Sequence, residues 1–366
     1  MRILLNAANL STGGGLSTGG ALIQNWLQRA DVLRVLASPE LAGFLTDLGI
    51  PESSWIQVRQ RPGRSLAARW AFRTLADETV RTFQPDIVFT VFGPPLWRPR
   101  APHVCGFANG LYLPKEPIRT DNSAHSRLQT LSHQIRRALL FRSLRTDTDA
   151  IWVETETVRQ QLQRLLPGKP IFVVPNELPD AFKQTAFELK PAVQQPLRIL
   201  MPAAGYPHKN FALLRSLLAL PDASNMQFSV TLHPQDFNRF FPDYPKPHNL
   251  GFLPADQLPK AYENADVIFA PSLAEIYSAT WLEAMAAKRP LVCADIPEAR
   301  DLCDNAALYF SGSSASEALA VLNSLRSDPV LLAIQVRNGI ARLQDLTPVV
   351  SRPEALYRLL SQTLAL

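Results

Sequence analysis

The stretch Asp266-Val-Ile-Phe-Ala-Pro-Ser-Leu-Ala-Glu-Ile-Tyr-Ser-Ala-Thr-Trp-Leu-Glu-Ala-Met-Ala-Ala-Lys-Arg-Pro290 holds a strand, a loop and a helix in that order. Val267–Ala270 is an apolar run of strand length. The helix after it ends at Lys288-Arg289-Pro290, a basic last turn with a proline stop. Ser278 stands where an N-cap belongs. Glu275 therefore falls in the loop at the carboxyl end of a strand, and Glu283 inside the following helix. Open α/β sheets bind ligands at that end. Backbone N–H groups at the helix start face an anion readily. A carboxylate on each side of an anion site suits a ligand with phosphate in its middle and hydroxyls at both ends, as a nucleotide sugar has.

Strand-like and helix-like segments alternate outward from this stretch, the pattern of a parallel sheet covered by helices. In the first half the expected strands are 2–6, 32–37, 87–90, 103–107, 151–154 and 171–174, with helices between them, among them 20–29 and 157–166. The second half restarts as the first began: Met1-Arg-Ile-Leu-Leu-Asn-Ala-Ala8 compares with Leu197-Arg-Ile-Leu-Met-Pro-Ala-Ala204. Later strands are expected at 227–232, 267–270, 291–294 and 307–310. The expected organisation is an α/β chain of two Rossmann-like domains, 1–178 and 197–352. Residues 179–196 join them, and the terminal helix 353–366 packs back on the first.

Composition sets limits on this reading. At 366 residues the chain is too long for one ordinary core, and with 46% hydrophobic residues it is globular rather than disordered. No apolar run is long enough to cross a bilayer, and the N-terminal apolar run is too short for a signal peptide. Cys105, Cys293 and Cys303 lack the spacing of a disulfide frame or a zinc site, which points to a reducing cytoplasm. Charge is uneven. Residues 1–178 carry 21 Lys+Arg against 14 Asp+Glu, a net of +7, and the remainder 16 against 18, a net of −2. Two arginine-rich stretches carry the excess, 59–73 with Leu66, Trp70 and Phe72, and 127–145 with Leu131, Leu139 and Phe141. Basic amphipathic helices of this kind lie on anionic lipid; ordinary solvated helix faces are the other reading. Nucleic acid is not expected, since no strand-borne stacking aromatics or known motif accompany the arginines.

Taken together, these residues resemble the large retaining glycosyltransferase family 4, also called glycosyl transferases group 1, with the GT-B fold. Its hallmark is a glutamate, seven residues and a second glutamate, preceded by Pro-Ser and followed by Ala-Met-Ala, as at Pro271-Ser272, Glu275, Glu283 and Ala284-Met-Ala286. Asn249-Leu-Gly-Phe-Leu-Pro254, Leu258-Pro-Lys-Ala-Tyr262, Pro290-Leu-Val-Cys-Ala-Asp295, Ile151-Trp-Val-Glu-Thr155 and Val173-Val-Pro-Asn176 follow the family pattern, so the resemblance covers most of the chain. It implies two Rossmann-like domains facing a central cleft, with the donor in the second domain and the acceptor in the first. Glu275 would contact hydroxyls of the donor sugar and Glu283 the ribose hydroxyls. Lys209 of Gly205-Tyr-Pro-His-Lys-Asn210 would meet the donor phosphates. Ile276, Tyr277 and Ser278 would line the donor site, and the backbone around Phe252–Pro254, with Phe252 and Leu253, would meet the base.

The chain departs from the family at two places. The family arginine about five residues before the lysine is Ala204 here, so His208 is a candidate for the missing charge. The family histidine after the fourth strand is Ala108, which leaves Asn109 as the nearest polar side chain toward donor or acceptor. Ser11-Thr-Gly-Gly-Gly-Leu-Ser17 is expected as a glycine-rich loop that brings Gly14 and Gly15 toward the diphosphate. His103 reads as structural. Asp147-Thr-Asp149 precedes a strand rather than following one and reads as a turn, and His125, His133, His233 and His248 have no partners at metal spacing. No metal and no cofactor are expected. The expected activity is metal-independent transfer of a hexose from a nucleotide sugar to a saccharide or lipid-linked acceptor in bacterial surface polysaccharide assembly, in the cytoplasm or on the inner membrane face. A GT-B-like nucleotide-sugar epimerase and a non-catalytic sugar-nucleotide-binding relative remain as alternatives.

Overall fold

The computed structural model describes residues 1–11, 13–29, 32–113, 127–190, 195–243 and 245–365. They divide into two units, one made of the described residues of 1–175 and 350–365 and the other of 176–349.

The first unit runs β1 (Arg2–Ala7), α1 (Gly13–Leu27), β2 (Val32–Ala37), α2 (Pro39–Asp47), β3 (Trp55–Gln57), α3 (Leu66–Phe83), β4 (Ile87–Thr90), β5 (His103–Gly106), α4 (Arg127–Asp147), β6 (Ala150–Val153), α5 (Glu156–Leu165) and β7 (Ile171–Val173). The second runs α6 (Asp180–Lys183), β8 (Leu197–Met201), α7 (Phe211–Leu218), β9 (Met226–Val230), α8 (Pro234–Phe240), β10 (His248–Asn249), α9 (Leu258–Asn264), β11 (Val267–Ala270), α10 (Ala279–Ala286), β12 (Leu291–Ala294), α11 (Pro297–Cys303), β13 (Ala307–Phe310), α12 (Ala315–Ser327) and α13 (Pro329–Leu346). The last helix, α14 (Arg352–Thr363), belongs to the first unit.

Both sheets are parallel, in the orders β3-β2-β1-β4-β5-β6-β7 and β10-β9-β8-β11-β12-β13. The similar stretches that open each half, β1 and β8, take equivalent places. In each sheet the chain winds outward from that strand to one edge and then returns to its other side. This is the GT-B plan of two Rossmann-like α/β units. The two short edge strands, β3 and β10, were not expected from the sequence. They are three and two residues long, too short for period-2 alternation to register.

The repeat extends to a hydrogen-bonded device. In the first unit the Arg2 N–H donates to Asp86 Oδ2 (2.6 Å), and the Asp86 N–H returns to the Arg2 carbonyl (2.9 Å). In the second, the Arg198 N–H donates to Asp266 Oδ2 (3.0 Å), and the Asp266 N–H returns to the Arg198 carbonyl (2.8 Å). Each pair sets the register of the two central strands. The second pair is the deeper one. The Asp266 carboxylate is 2% exposed and also takes the Arg198 guanidinium and Lys190 Nζ, each at 2.8 Å.

Two segments differ from expectation. Residues 179–196 contain α6, and Phe182 and Phe187 are buried in the core of the second unit, so the described part of this stretch is packed structure rather than a free joining strand. Gly13–Leu27 is helical, so Gly14 and Gly15 occupy the first turn of α1 and not a loop. Packing outweighs the low helix propensity of glycine here. Leu22, Ile23 and Trp26 are buried, and a Cβ on Gly20 would lie 2.5 Å from the Phe44 ring of α2, so only glycine lets the two helices approach this closely. The helix α14 is fastened within the first unit by the Trp26 Nε1 donor to the Pro353 carbonyl (3.1 Å) and by a buried ion pair, Arg352 Nη2 to Glu154 Oε1 (2.6 Å).

The two register devices differ in cost when broken. Asp266→Ala leaves Lys190 and Arg198 without a buried carboxylate, an expected loss of about 3 kcal/mol. Asp86→Ala removes one hydrogen bond at the surface, an expected loss of about 1 kcal/mol. Urea denaturation of the two variants checks the contrast, and equal losses would refute it.

Candidate donor-binding site

The order of the second sheet reverses between β8 and β11, and the loops leaving the carboxyl ends of these two neighbours form the site. Lys209 comes from the β8 loop and Glu275 from the β11 loop. Their charged atoms meet at 2.5 Å, with 16% and 10% of the side chains exposed. Asn210 places them. It adopts the left-handed conformation (φ 65°), ends the 3-10 turn Pro207–Lys209 and begins α7. Its Nδ2 donates to the carbonyls of Pro271 (3.2 Å) and Gly312 (2.8 Å), tying the β8, β11 and β13 loops together. The Leu273 N–H adds a bond to the His208 carbonyl at 2.9 Å. A Cβ on Gly312 would come within 2.7 Å of the Leu273 side chain, so glycine lets the third loop close in.

Glu283 is carried by α10, where the apolar Trp281, Leu282, Ala284 and Met285 bury the helix on several sides. The glutamate goes in with them and is 6% exposed. Tyr262 on α9 donates its hydroxyl to Glu283 Oε2 at 2.5 Å. Burial pushes the Glu283 carboxyl up to about 7, against the Tyr262 hydrogen bond and the positive charge of Lys209. The Tyr262 hydroxyl is itself pushed up by burial and by the adjacent carboxylate. Lys209, Glu275, Glu283 and Tyr262 thus make one electrostatic cluster. It holds one cation and two carboxyl groups within a single corner of the second unit.

The remaining expected residues fall around this cluster in different ways. Ile276, Tyr277 and Ser278 are buried, and the Tyr277 hydroxyl donates to the Asn176 carbonyl (3.3 Å), so Ile276 and Tyr277 have mainly backbone to offer a ligand. Ser278 holds the N-cap position of α10 but its side chain makes no capping bond. His208 lies parallel to Tyr206, the ring centroids 5.5 Å apart. Phe252 is 58% exposed and lies parallel to His233, centroids 4.5 Å apart, next to the half-buried Leu253. Asn249 fixes that corner by accepting from the Leu232 and Gly251 N–H groups. Gly14, Gly15 and Asn109 belong to the first unit. Gly14 is exposed with open space before it, and Asn109 follows the β5 end and leads into the 3-10 turn Gly110–Tyr112 without a side-chain capping bond.

Tyr262 and Arg239 were not singled out from the sequence. Tyr262 lies in the Leu258–Tyr262 family pattern, which was the available signal. Arg239 on α8 donates Nη2 to the Gly205 carbonyl at 3.1 Å, beside Ala204. Nothing in the sequence connects it with that loop.

His103 is enclosed in the first unit, its Nε2 2.7 Å from Thr90 Oγ1 and its Nδ1 2.6 Å from the Asp147 carbonyl. Burial lowers its pKa to about 4, so it is neutral. Asp149 accepts from the His103 N–H and pairs with Arg98, and Asp147 accepts from Ser143 Oγ, so both carboxylates serve the turn. His125 lies outside the described residues.

Residues 242–327, which include both glutamates, match the family described as Glycosyl transferases group 1. No curated protein matches the sequence. The fold is that of solved GT-B proteins. Sucrose-phosphate synthase from Thermosynechococcus elongatus superposes with a TM-score of 0.73 at 14% identity, over 100% of both chains. A glycosyltransferase from Rickettsia africae gives 0.69 at 14%, over 99% of this chain and 98% of that one. Anabaena HepE in complex with UDP-glucose gives 0.67 at 15%, over 99% and 100%.

The raised Glu283 carboxyl has a stability consequence. Between its ordinary value of 4.5 and about 7 the folded chain holds a proton that the unfolded chain has released. The folded state binds more protons in that window, so stability falls as pH rises through it, by up to about 3 kcal/mol. Glu283→Gln keeps an acceptor for Tyr262 and removes the titration. Denaturation midpoints taken from pH 4 to 8 are expected to fall less steeply in the variant; an unchanged slope would mean another group is responsible.

Proposed function

We propose that this chain is a retaining, metal-independent glycosyltransferase that moves a hexose from a nucleotide-sugar donor to a saccharide or lipid-linked acceptor in surface polysaccharide assembly. The observation that carries the reading is the Lys209–Glu275–Glu283 cluster at the β8/β11 switch point, inside or beside the segment that matches the glycosyl transferase family. Glu283 receives the ribose hydroxyls and Glu275 those of the sugar. Lys209 and the N-terminal N–H groups of α10 hold the diphosphate between them. The bond from the anomeric carbon to the phosphate oxygen breaks, the bond to the acceptor oxygen forms on the same face, and the acceptor proton passes to the leaving phosphate. No protein nucleophile is required. The site supplies positioning and charge for the departing diphosphate.

Arg239 supplies the second cation that Ala204 lacks, since its guanidinium already lies against the same loop. The exposed Phe252 ring on His233 gives the base an aromatic face. Asn109, Gly14 and Gly15 are the first unit's candidates for contact with substrate.

An anionic membrane surface is the proposed platform for the first unit. Leu66 and Trp70 at the start of α3 are 81% and 72% exposed, and Leu131, Ile135 and Leu139 on α4 are about half exposed. Right-handed crossovers put α3 and α4 on one face of the sheet. Leu96 joins them, accepting from Arg73 of α3 and donating to Ser143 of α4. Apolar tips among arginines are what an interfacial helix needs. Among the described residues no helix is long and apolar enough to cross a bilayer.

The first test is thermal shift against UDP, GDP, ADP and dTDP and their sugars, since a bound nucleotide stabilises the folded chain by mass action. One nucleotide is expected to raise the midpoint, and Lys209→Ala or Glu283→Ala to abolish the rise. No shift with any nucleotide would favour the non-catalytic reading motivated by Ala204 and Ala108. With the donor known, Lys209→Ala is expected to lower kcat/KM by about 10²–10³, and Arg239→Ala by less. Full transfer by Glu275→Ala would end its proposed role. Trp70→Glu together with Ile135→Glu is expected to release the protein from phosphatidylglycerol vesicles in a sedimentation assay without changing the nucleotide shift.

A further inference from the structure

Lys288 and Arg289, expected as the last turn of α10 but lying beyond its end, line a cavity at the opposite ends of the strands from the Lys209–Glu275 site. It has a volume of about 580 Å³ and opens between the residues preceding β11 and β12 and one face of α12 and α13. That size is within the ordinary range for small-molecule sites. Since β11 is four residues long, about 13 Å of strand separates this cavity from the Glu275 loop.

The wall is divided by character. Leu325, Leu332, Val336 and Ile340 make an apolar floor, and Lys190, Lys288, Arg289, Arg326 and Arg337 contribute five cations against the single carboxylate Asp266. Asp266 is already taken by Lys190 and Arg198. Arg289 is 5% exposed and gives its donors to backbone carbonyls, among them Tyr262, Ala265 and Glu188, so its charge goes into the fold without an ion-pair partner among the described residues. Lys288 donates to the Phe187 carbonyl. Arg326 and Arg337 make no hydrogen bond or ion pair with any described residue. This concentration of positive charge occurs in the half of the chain, 179–366, whose net charge is −2. Arg326 is half-buried and Arg337 exposed, so both guanidinium groups are accessible at the cavity mouth and neither meets a carboxylate of the described residues.

We infer that this cavity binds an anionic amphiphile, an apolar chain or ring system ending in a phosphate or carboxylate, with the apolar body against α13 and the anion between Arg326 and Arg337. The site is separate from the donor site and does not depend on the glycosyltransferase reading. It abuts Lys288 and Arg289, the residues that follow α10, the helix that carries Glu283.

Isothermal titration of the full chain with monomeric dodecyl phosphate tests the inference. Saturable one-to-one binding is expected, with inorganic phosphate and dodecanol each about tenfold weaker or worse, because each supplies only one half of the required chemistry. Arg326→Glu with Arg337→Glu is expected to weaken dodecyl phosphate by at least about tenfold. Neither arginine has a hydrogen-bond or ion-pair partner among the described residues, so the folding constant of the double variant from urea denaturation should stay within about fivefold of the parent's (about 1 kcal/mol), the cost of a glutamate in the last turn of α12. Ile340→Trp, which fills the floor, is the second variant and should weaken binding while the cations stay. Equal binding of phosphate and dodecyl phosphate, undiminished binding in both variants, or non-saturating uptake would overturn the inference. Phosphatidylglycerol vesicles that displace bound dodecyl phosphate would support it with a membrane lipid as occupant; saturable binding that vesicles leave intact would support it with a free amphiphile.

Discussion

The constraint on which the ligand site depends is the register of β8 against β11, held by the reciprocal bonds of Arg198 and Asp266. Loops that leave neighbouring parallel strands converge only if the strands begin and end in step. Asp266 sets the start with one buried carboxylate that also gathers the Arg198 guanidinium and Lys190. At the other end, Asn210 gathers the loops. Between these two points lies the strand pair that brings Lys209 to Glu275. The first unit repeats the device with Arg2 and Asp86 nearer the surface, where it sets register but concentrates no charge.

The donor site is economical in charge. Lys209 and Glu275 neutralise each other, and burial raises the Glu283 carboxyl to about 7. The charged form of that carboxyl is favoured by the Tyr262 hydroxyl and by Lys209. Burial of Glu283 follows from its place on a helix hydrophobic on several sides, so the perturbed carboxyl is a consequence of packing as much as of local chemistry.

How legible the chain was varies with how local the signal is. The central strands of both sheets read clearly because parallel strands buried on both faces are continuous apolar runs. The edge strands β3 and β10 did not, being too short to show a period. The glycine run after β1 read as a loop because glycine disfavours helix, and the structure makes it the first turn of α1, a helix held by the buried Leu22, Ile23 and Trp26. The stretch after Asn176 read as a polar connection, yet Phe182 and Phe187 anchor its described part in the second core.

The sequence by itself determined the two-unit parallel α/β plan, the restart at Leu197, the placement of Lys209 and Glu275 in loops between a strand and a helix, and that of Glu283 inside a helix, because these follow from periodicity, caps and spacing along a single run of chain. Only the tertiary structure decided that Lys209 meets Glu275 across 66 residues, that Tyr262 reaches Glu283, that Arg239 lies beside Ala204, and that five cations share a cavity with an apolar floor. Each of those pairings joins segments that are separated along the chain and brought together by strand order. Strand order is set by crossover handedness and core packing, which no local pattern records.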